Sequence, residues 1–444
     1  MKHFLICFLI IVLIEPISAQ ETTKNKIDRI LTAYQNLNIF NGTALVYSND
    51  KPILIKGYGY KNFEAKTLDD SNTIFQIASV TKPFTSTLIL KLVQLKKISL
   101  NDKLSKFYPD FPNGNKITIE NLLTHTSGIY DYTHDDTAVT KGSEQKMMNI
   151  FKSHKLDFEP ATDWSYSNSG YSILGYIIQN VTGITYEQAI RKYIFQPAGM
   201  KNSGFDFERL KSKNKSVGYS VFSDSIKTIA SFSDSSVVFA AGAIYSTVKD
   251  LYQFHKALQS SKIVNKFLLN KAYTPFKHNY GYGWMIDTMN ANKMVYHSGG
   301  ISGFSSIFIR IPKENICIVL LNNKEGIELE NIGRKILKIL YNQPYSTPTK
   351  KVTITLPDSI LNRYIGTYEL TNPDLQIEIR LDNGKLMAHA INGPTFELFA
   401  ETEKLFAVVQ QSQIEIEFVT DGNGNAKELI LRQNDQNNVG KKIK

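Results

Sequence analysis

The chain has 444 residues, room for two or three domains, and 42% of them are hydrophobic, enough for a large core. Its 51 basic and 41 acidic residues give a formal charge of +10 at pH 7. No dense basic run accompanies that charge, which argues against a nucleic-acid partner. A solvated basic surface accounts for the balance, and attraction to anionic cell-wall material is the functional alternative.

Met1-Lys2-His3 followed by the apolar run Phe4 to Ile14 and by Pro16-Ile17-Ser18-Ala19 reads as a signal peptide over residues 1–19. The apolar run is too short for a comfortable span, so no stable membrane span is expected after cleavage and the mature chain is expected to be periplasmic or extracellular. Cleavage after Ala19 leaves Cys317 as the sole cysteine, so export implies no intrachain disulfide. Lys24 to Gln35 carries Ile27, Ile30, Leu31 and Tyr34 at helical spacing. Gly42–Tyr47 and Pro52–Tyr58 read as a hairpin across Ser48-Asn49-Asp50. Ala78-Ser79-Val80-Thr81-Lys82-Pro83-Phe84 opens an apolar helical stretch that runs to Val93, with Pro83 suited to a first helical turn.

Further on, Ile119–Leu123 reads as a short helix ending at Gly128, Ser172–Val181 as a helix closed by Gly183, and Tyr186–Phe195 as one stopped near Pro197. Phe304–Ile311 and Ile316–Leu321 read as adjacent buried strands, and Asn331–Tyr341 as an amphipathic helix. Strands at both ends with helices between them predict one sheet assembled from both ends of the chain. Residues 343–356 read as a linker. Beyond it, Ile365–Leu370, Gln376–Leu381, Phe396–Phe399 and Ile414–Val419 alternate as strands, with Asp382-Asn383-Gly384 and Asp421–Gly424 as turns, and Lys441–Lys444 reads as a loose tail. The fold class expected is α+β over 20–342, an antiparallel sheet flanked by helices plus a helical part, followed by a small all-β, barrel-like domain over 357–444.

Ser79 and Lys82 are three residues apart and share a helix face, so the amine can take the hydroxyl proton that serine does not shed unaided. Ser-x-x-Lys is weak evidence alone. It recurs at Ser48, Ser143, Ser212 and Ser246, but only Ser79 opens a long apolar helix. Two more motifs follow in order: Tyr166-Ser167-Asn168, and His297-Ser298-Gly299-Gly300 just before the apolar strand pair. Tyr-x-Asn also recurs, at Tyr34, Tyr47 and Tyr60, so the ordered set carries the signal. The eight histidines are scattered, and no His-Glu-x-x-His or Cys-x-x-Cys pattern occurs, so neither a metal nor a cofactor is expected.

Ser-x-x-Lys, Tyr-x-Asn and a third motif ending in Gly resemble the serine β-lactamase and penicillin-binding-protein superfamily. The Tyr-x-Asn form resembles its branch of class C β-lactamases, D-alanyl-D-alanine carboxypeptidases, D-aminopeptidases and related esterases. Leu122–Ile129, with His125 inside it, also looks like a stretch from that branch, and Tyr364–Tyr368 resembles the opening of β domains appended there. The resemblance implies an acyl-enzyme on Ser79, with Lys82 and Tyr166 handling protons and Asn168 positioning the lysine or the substrate amide. It implies an oxyanion hole from the backbone N–H groups of Ser79 and Gly300, with Ser298 and Gly299 also contacting substrate. Which of Lys82 and Tyr166 takes the proton stays open, with nearby cations favouring a tyrosinate. His297 stands where many of these enzymes carry lysine. With an ordinary pKa of about 6.5 it would hold a substrate carboxylate weakly, and better as pH falls towards 6. The expectation is a serine hydrolase for small-molecule or short-peptide amides and esters. The β-lactamase and carboxypeptidase or D-aminopeptidase readings are alternatives within that class, and a non-catalytic binding module is the alternative outside it.

Overall fold

The computed structural model describes residues 21–134, 139–222, 226–350, 352–371, 374–391, 395–408, 414–433 and 436–444. The signal peptide expected over residues 1–19 lies outside them. The chain divides into two compact units between Pro348 and Thr349.

In the first unit, Thr22 caps helix α1 (Thr23–Asn36) by accepting from the Asn25 N–H at 3.3 Å, and Ile27, Ile30, Leu31 and Tyr34 form its buried face. Strands β1 (Gly42–Ser48) and β2 (Lys51–Tyr58) meet at Asn49-Asp50, whose φ angles of 51° and 60° suit a two-residue hairpin. Helices α2 (Thr81–Gln94), α3 (Asn168–Thr182) and α4 (Ser235–Gly242) belong to the helical part. Strands β3 (Met285–Met289), β4 (Asn292–Ile301), β5 (Phe304–Ile311) and β6 (Ile316–Asn322) precede helix α5 (Leu329–Leu340).

The sheet runs β3-β4-β5-β6-β1-β2, antiparallel throughout, so the first hairpin pairs with the last strand, Gly42 opposite Asn322. Alternation sorts its side chains. Ile307, Ile309, Ile318 and Leu320 join α1 and α5 in one core. Phe308, Cys317, Val319 and Leu321 face the helical part with Phe84 and Leu88 of α2. Both faces are covered, which is why β5 and β6 carry apolar side chains towards both.

Three helix ends differ from expectation. The helix expected at Ser172 begins at Asn168, because the Ser167 hydroxyl caps it by accepting from the Gly170 N–H at 3.1 Å. Ile119–Leu123 ends at Thr124, and Gly128 (φ 73°) makes a later turn. The helix from Tyr186 passes through a π turn at Arg191–Phe195 and carries Pro197 in a final turn. Gly199 (φ 77°), not Pro197, ends it.

The second unit is a closed antiparallel barrel of eight strands: Gly366–Thr371, Asp374–Asp382, Lys385–Ala390, Thr395–Ala400, Leu405–Val408, Glu415–Thr420, Ala426–Gln433 and Gln436–Lys442. Tyr364, Tyr368, Phe406 and Phe418 fill it, the Tyr364 and Phe418 rings stacked at 4.5 Å. The expected loose tail is corrected. Lys441 and Lys442 belong to the closing strand, paired with Glu369 and Tyr368 of the first. Closure removes both sheet edges, a sufficient reason for a polar segment to be held.

Candidate active site

The segment carrying Ser79 is pinned from two sides. The Ile77 N–H donates to the Ile244 carbonyl at 3.0 Å, and the Ser306 hydroxyl of β5 donates to the Ile77 carbonyl at 2.8 Å. Ala78 between them adopts φ 46°, a left-handed conformation costing a non-glycine residue about 1 kcal/mol or more. This turn delivers Ser79 at the start of α2, in the short 3-10 segment Ala78–Val80. Strand β4 presses on it so closely that a Cβ at Gly299 would run into the Ile77 carbonyl and lie 3.0 Å from the Ser79 nitrogen. At Gly300 a Cβ would meet nothing within 4 Å.

Lys82 lies one turn on and is fully buried. Its Nζ is 3.0 Å from Ser79 Oγ, 2.9 Å from Asn168 Oδ1 and 3.0 Å from the Ala241 carbonyl. Burial draws its ammonium down to about 7, opposed by the charge of Asp131. The last two partners accept only. A neutral amine therefore spends its two N–H groups on them and aims its lone pair at Ser79. The Ala241 carbonyl is offered by α4, which is kinked at Phe239 (φ 33°, ψ −129°), and the Thr85 hydroxyl donates to the neighbouring Ala240 carbonyl at 2.6 Å. Strain at Phe239 thus coincides with the element that holds the lysine.

The Tyr166 ring lies 4.6 Å below Lys82 Nζ, and its hydroxyl shares a hydrogen bond with Ser79. Burial pushes the Tyr166 phenol above its ordinary value, and the hydrogen bond from Ser79 only partly offsets this. The expectation of a tyrosinate favoured by nearby cations is therefore corrected: desolvation outweighs them and keeps the Tyr166 phenol protonated, beside an amine whose titration is drawn towards neutral pH.

Asn168 opens α3 with its amide fixed at both ends. Oδ1 accepts from Lys82, while Nδ2 and the backbone N–H both donate to Asp131 Oδ2, at 2.9 and 3.1 Å. The other Asp131 oxygen accepts from the Thr133 N–H and hydroxyl, at 3.0 and 2.9 Å. His125 packs against Tyr166 at 4.4 Å, and its Nδ1 accepts from the Ser167 N–H at 3.0 Å. Burial and the Lys82 charge keep it neutral.

His297 departs from its expected behaviour. Its Nδ1–H donates to the Ser298 carbonyl at 2.6 Å, which leaves Nε2 to accept from the Tyr280 hydroxyl at 3.1 Å. Burial, then the Lys82 charge, push its imidazolium down to about 3. The ring is neutral throughout the physiological range, and both nitrogens serve the protein itself. Ser79, Trp164, Tyr166, Tyr280, Met285 and the stretch His297–Gly300 line a cavity of about 280 Å³. No charged side chain is among them.

The structure thus brings together all eight expected site residues, Lys82 and Asn168 from beneath the cavity and the other six at its wall. Asp131, Tyr280 and the Ala241 carbonyl carry no local signal in the sequence. Asp131 follows the Leu122–Ile129 stretch by two positions, and Tyr280 sits in a plain turn. Among the described residues, no group of three or more His, Cys, Asp or Glu is placed to hold a metal, and no helix is long and apolar enough to cross a membrane.

Comparison with known proteins agrees with this geometry. Residues 27–342 match the Beta-lactamase family, and residues 350–442 match a domain of unknown function, DUF3471. Penicillin-binding protein 4* of Bacillus subtilis (strain 168) is 30% identical over 442 residues, covering 92% of this chain and 97% of the relative. The octameric penicillin-binding protein homologue from Pyrococcus abyssi superposes with a TM-score of 0.68 at 25% identity, covering 94% of this chain and 99% of that one. The D-amino acid amidase from Ochrobactrum anthropi SV3 shares the fold, with a TM-score of 0.63 at 24% identity over 72% of this chain and 98% of the amidase. With the family matched over most of its length and a curated relative matched nearly end to end, this chain belongs to the Beta-lactamase family.

Proposed function

We propose that the protein is an exported serine hydrolase that forms an acyl-enzyme through Ser79 on small amides, esters or peptides. The observation that carries this reading is the buried Lys82 amine, 3.0 Å from Ser79 Oγ, with its two acceptor-only partners. In acylation, Ser79 Oγ bonds to the carbonyl carbon as its proton passes to Lys82. The carbonyl oxygen takes up negative charge against the Ser79 and Gly300 backbone N–H groups. The proton then returns by way of Tyr166 to the leaving nitrogen or oxygen as that bond breaks. Water reverses the sequence in deacylation and frees Ser79. A general base near pKa 7 suits neutral pH.

The uncharged cavity wall and the neutral His297 favour neutral esters and amides over carboxylate-bearing β-lactams. Export rests on the leader-like first 19 residues, and encounter with cell-wall material on the basic charge and the penicillin-binding relatives. Intact mass spectrometry after a slow-turnover ester, phosphonate or β-lactam probe should show one adduct on Ser79. Labelling that persists in Ser79→Ala would sink the assignment. Turnover in that variant should fall on the order of a million-fold.

A further inference from the structure

A second cavity lies along the same strand end. Strand β4 passes Gly300 at the candidate active site and turns at Ser302-Gly303 into Phe304 of β5, and Ser302 and Phe304 line a separate space of about 370 Å³. At about 3.3 Å per strand residue, its near wall begins only about 7 Å from Gly300. Its other walls include Val217, Ile229 and Phe232. An aromatic run underlies it: Phe304 contacts Phe207 at 5.3 Å and Phe75 at 6.4 Å, and Phe75 precedes Ser79 by four residues. Ile229 and Phe232, 55% and 51% exposed, both line this one cavity and present apolar surface to it. The charged group in the lining, Lys215, is already engaged. Its Nζ donates to the Glu208 carbonyl at 2.9 Å and lies over the Phe207 and Phe232 rings at 4.8 and 5.1 Å.

We infer that this cavity is the subsite for an uncharged, apolar arm of the acyl group held on Ser79, such as a medium-length alkyl chain. The inference rests on the acyl-enzyme reading above. The apolar walls match such an arm, and the Lys215 charge in the lining is met by the Glu208 carbonyl and by the nearby carboxylates of Asp206 and Glu208, which disfavour an anionic one. An arm leaving the acyl carbon beside Gly300 reaches the cavity along the strand end.

A series of nitrophenyl esters from acetyl to octanoyl tests it. For the full chain, kcat/KM should rise about three-fold for each methylene that enters the cavity. Phe232→Ala removes one exposed wall and Ser231→Trp obstructs the rim. In each, the ratio of octanoyl to acetyl turnover should fall towards one. A flat series in the native protein, or a rise that both variants leave unchanged, overturns the subsite while leaving the acyl-enzyme intact. If no ester is turned over and none labels Ser79, the acyl-enzyme reading fails and the subsite falls with it.

Discussion

At the scale of single residues, Asp131 decides what Asn168 can do. Two N–H groups of Asn168 end on one Asp131 oxygen, so the amide presents its oxygen, not its nitrogen, to Lys82. Loss of a charge-assisted hydrogen bond costs about 1.5–3 kcal/mol, so Asp131→Asn should lower kcat/KM about ten- to a hundred-fold. The pH profile separates positioning from mere support. The Asp131 charge raises the Lys82 pKa; without it the amine stays neutral to lower pH, and the acidic limb of the rate profile should move down. A slower enzyme with an unmoved limb would refute that coupling. His297 gives a complementary expectation. With its pKa pushed to about 3, it does not titrate between pH 6 and 8. The ratio of nitrocefin to nitrophenyl ester turnover should therefore stay low and flat across that range. A ratio climbing towards pH 6 would show that the ring charges after all. The three motifs were legible because Ser79 to Lys82 and Tyr166 to Asn168 are local spacings that a helix and a helix start convert directly into geometry. Asp131 and Tyr280 were not, because each acts across the fold, 37 residues from Asn168 and 17 from His297.

Whole elements show the same division between local pattern and distant partner. Helices α1, α2 and α5 announce themselves by apolar period, and β5 and β6 by their largely apolar runs. Four of the eight barrel strands alternate visibly. Gln436–Lys442 does not, because its one large apolar side chain, Val439, is 48% exposed. Its place opposite Leu370 is taken by Gly440, where a Cβ would come 2.9 Å from the Leu370 side chain. Arg310, fully buried in β5, is another feature no local pattern reveals. It ties the sheet to the helix Val248–Gln259 by donating from Nε to His255 Nδ1 at 2.9 Å and from Nη2 to Gln259 at 3.3 Å, with Tyr273 as a third partner. His255 completes the chain by donating from Nε2 to Asn315 Oδ1 at 2.8 Å. Burial, then the Arg310 charge, draw the His255 imidazolium down to about 3. Against about 6.5 in the unfolded chain, this stabilisation is full above pH 6.5 and drains away as pH falls towards 3, by as much as roughly 4–5 kcal/mol. Asp69, which burial raises to about 8, has the opposite sign, losing its contribution as pH rises towards 8, so the net curve mixes both. Comparison with His255→Gln isolates the histidine. Urea unfolding between pH 6.5 and 4 should fall less steeply in the variant, by about 1.4 kcal/mol per pH unit. Parallel curves would show that His255 already carries its proton in the fold.

For the molecule as a whole, the division between Pro348 and Thr349 makes a strong claim about independence. The two cores of the first unit draw on side chains up to Tyr345, and the barrel core on side chains from Leu356 onward. No residue is shared between these clusters, so each unit has a core of its own. The barrel in turn closes on itself, its first strand pairing with its last through Leu370 and Gly440. A mature chain ended after Pro348 should therefore remain folded, unfolding cooperatively with Tm within a few degrees of the corresponding transition in the full chain. It should still be labelled on Ser79 by the acyl probe, since every residue lining the candidate cavity precedes residue 301. An unfolded or aggregated product would show that stability is shared across the boundary despite the separate cores. With the folded product in hand, the ester series assigns the barrel its role. A changed ratio of octanoyl to acetyl turnover makes the barrel a determinant of substrate choice. An unchanged ratio makes it a module with work of its own, for which the basic charge of the chain and anionic cell-wall polymer are the first pairing to test, by sedimentation at rising salt.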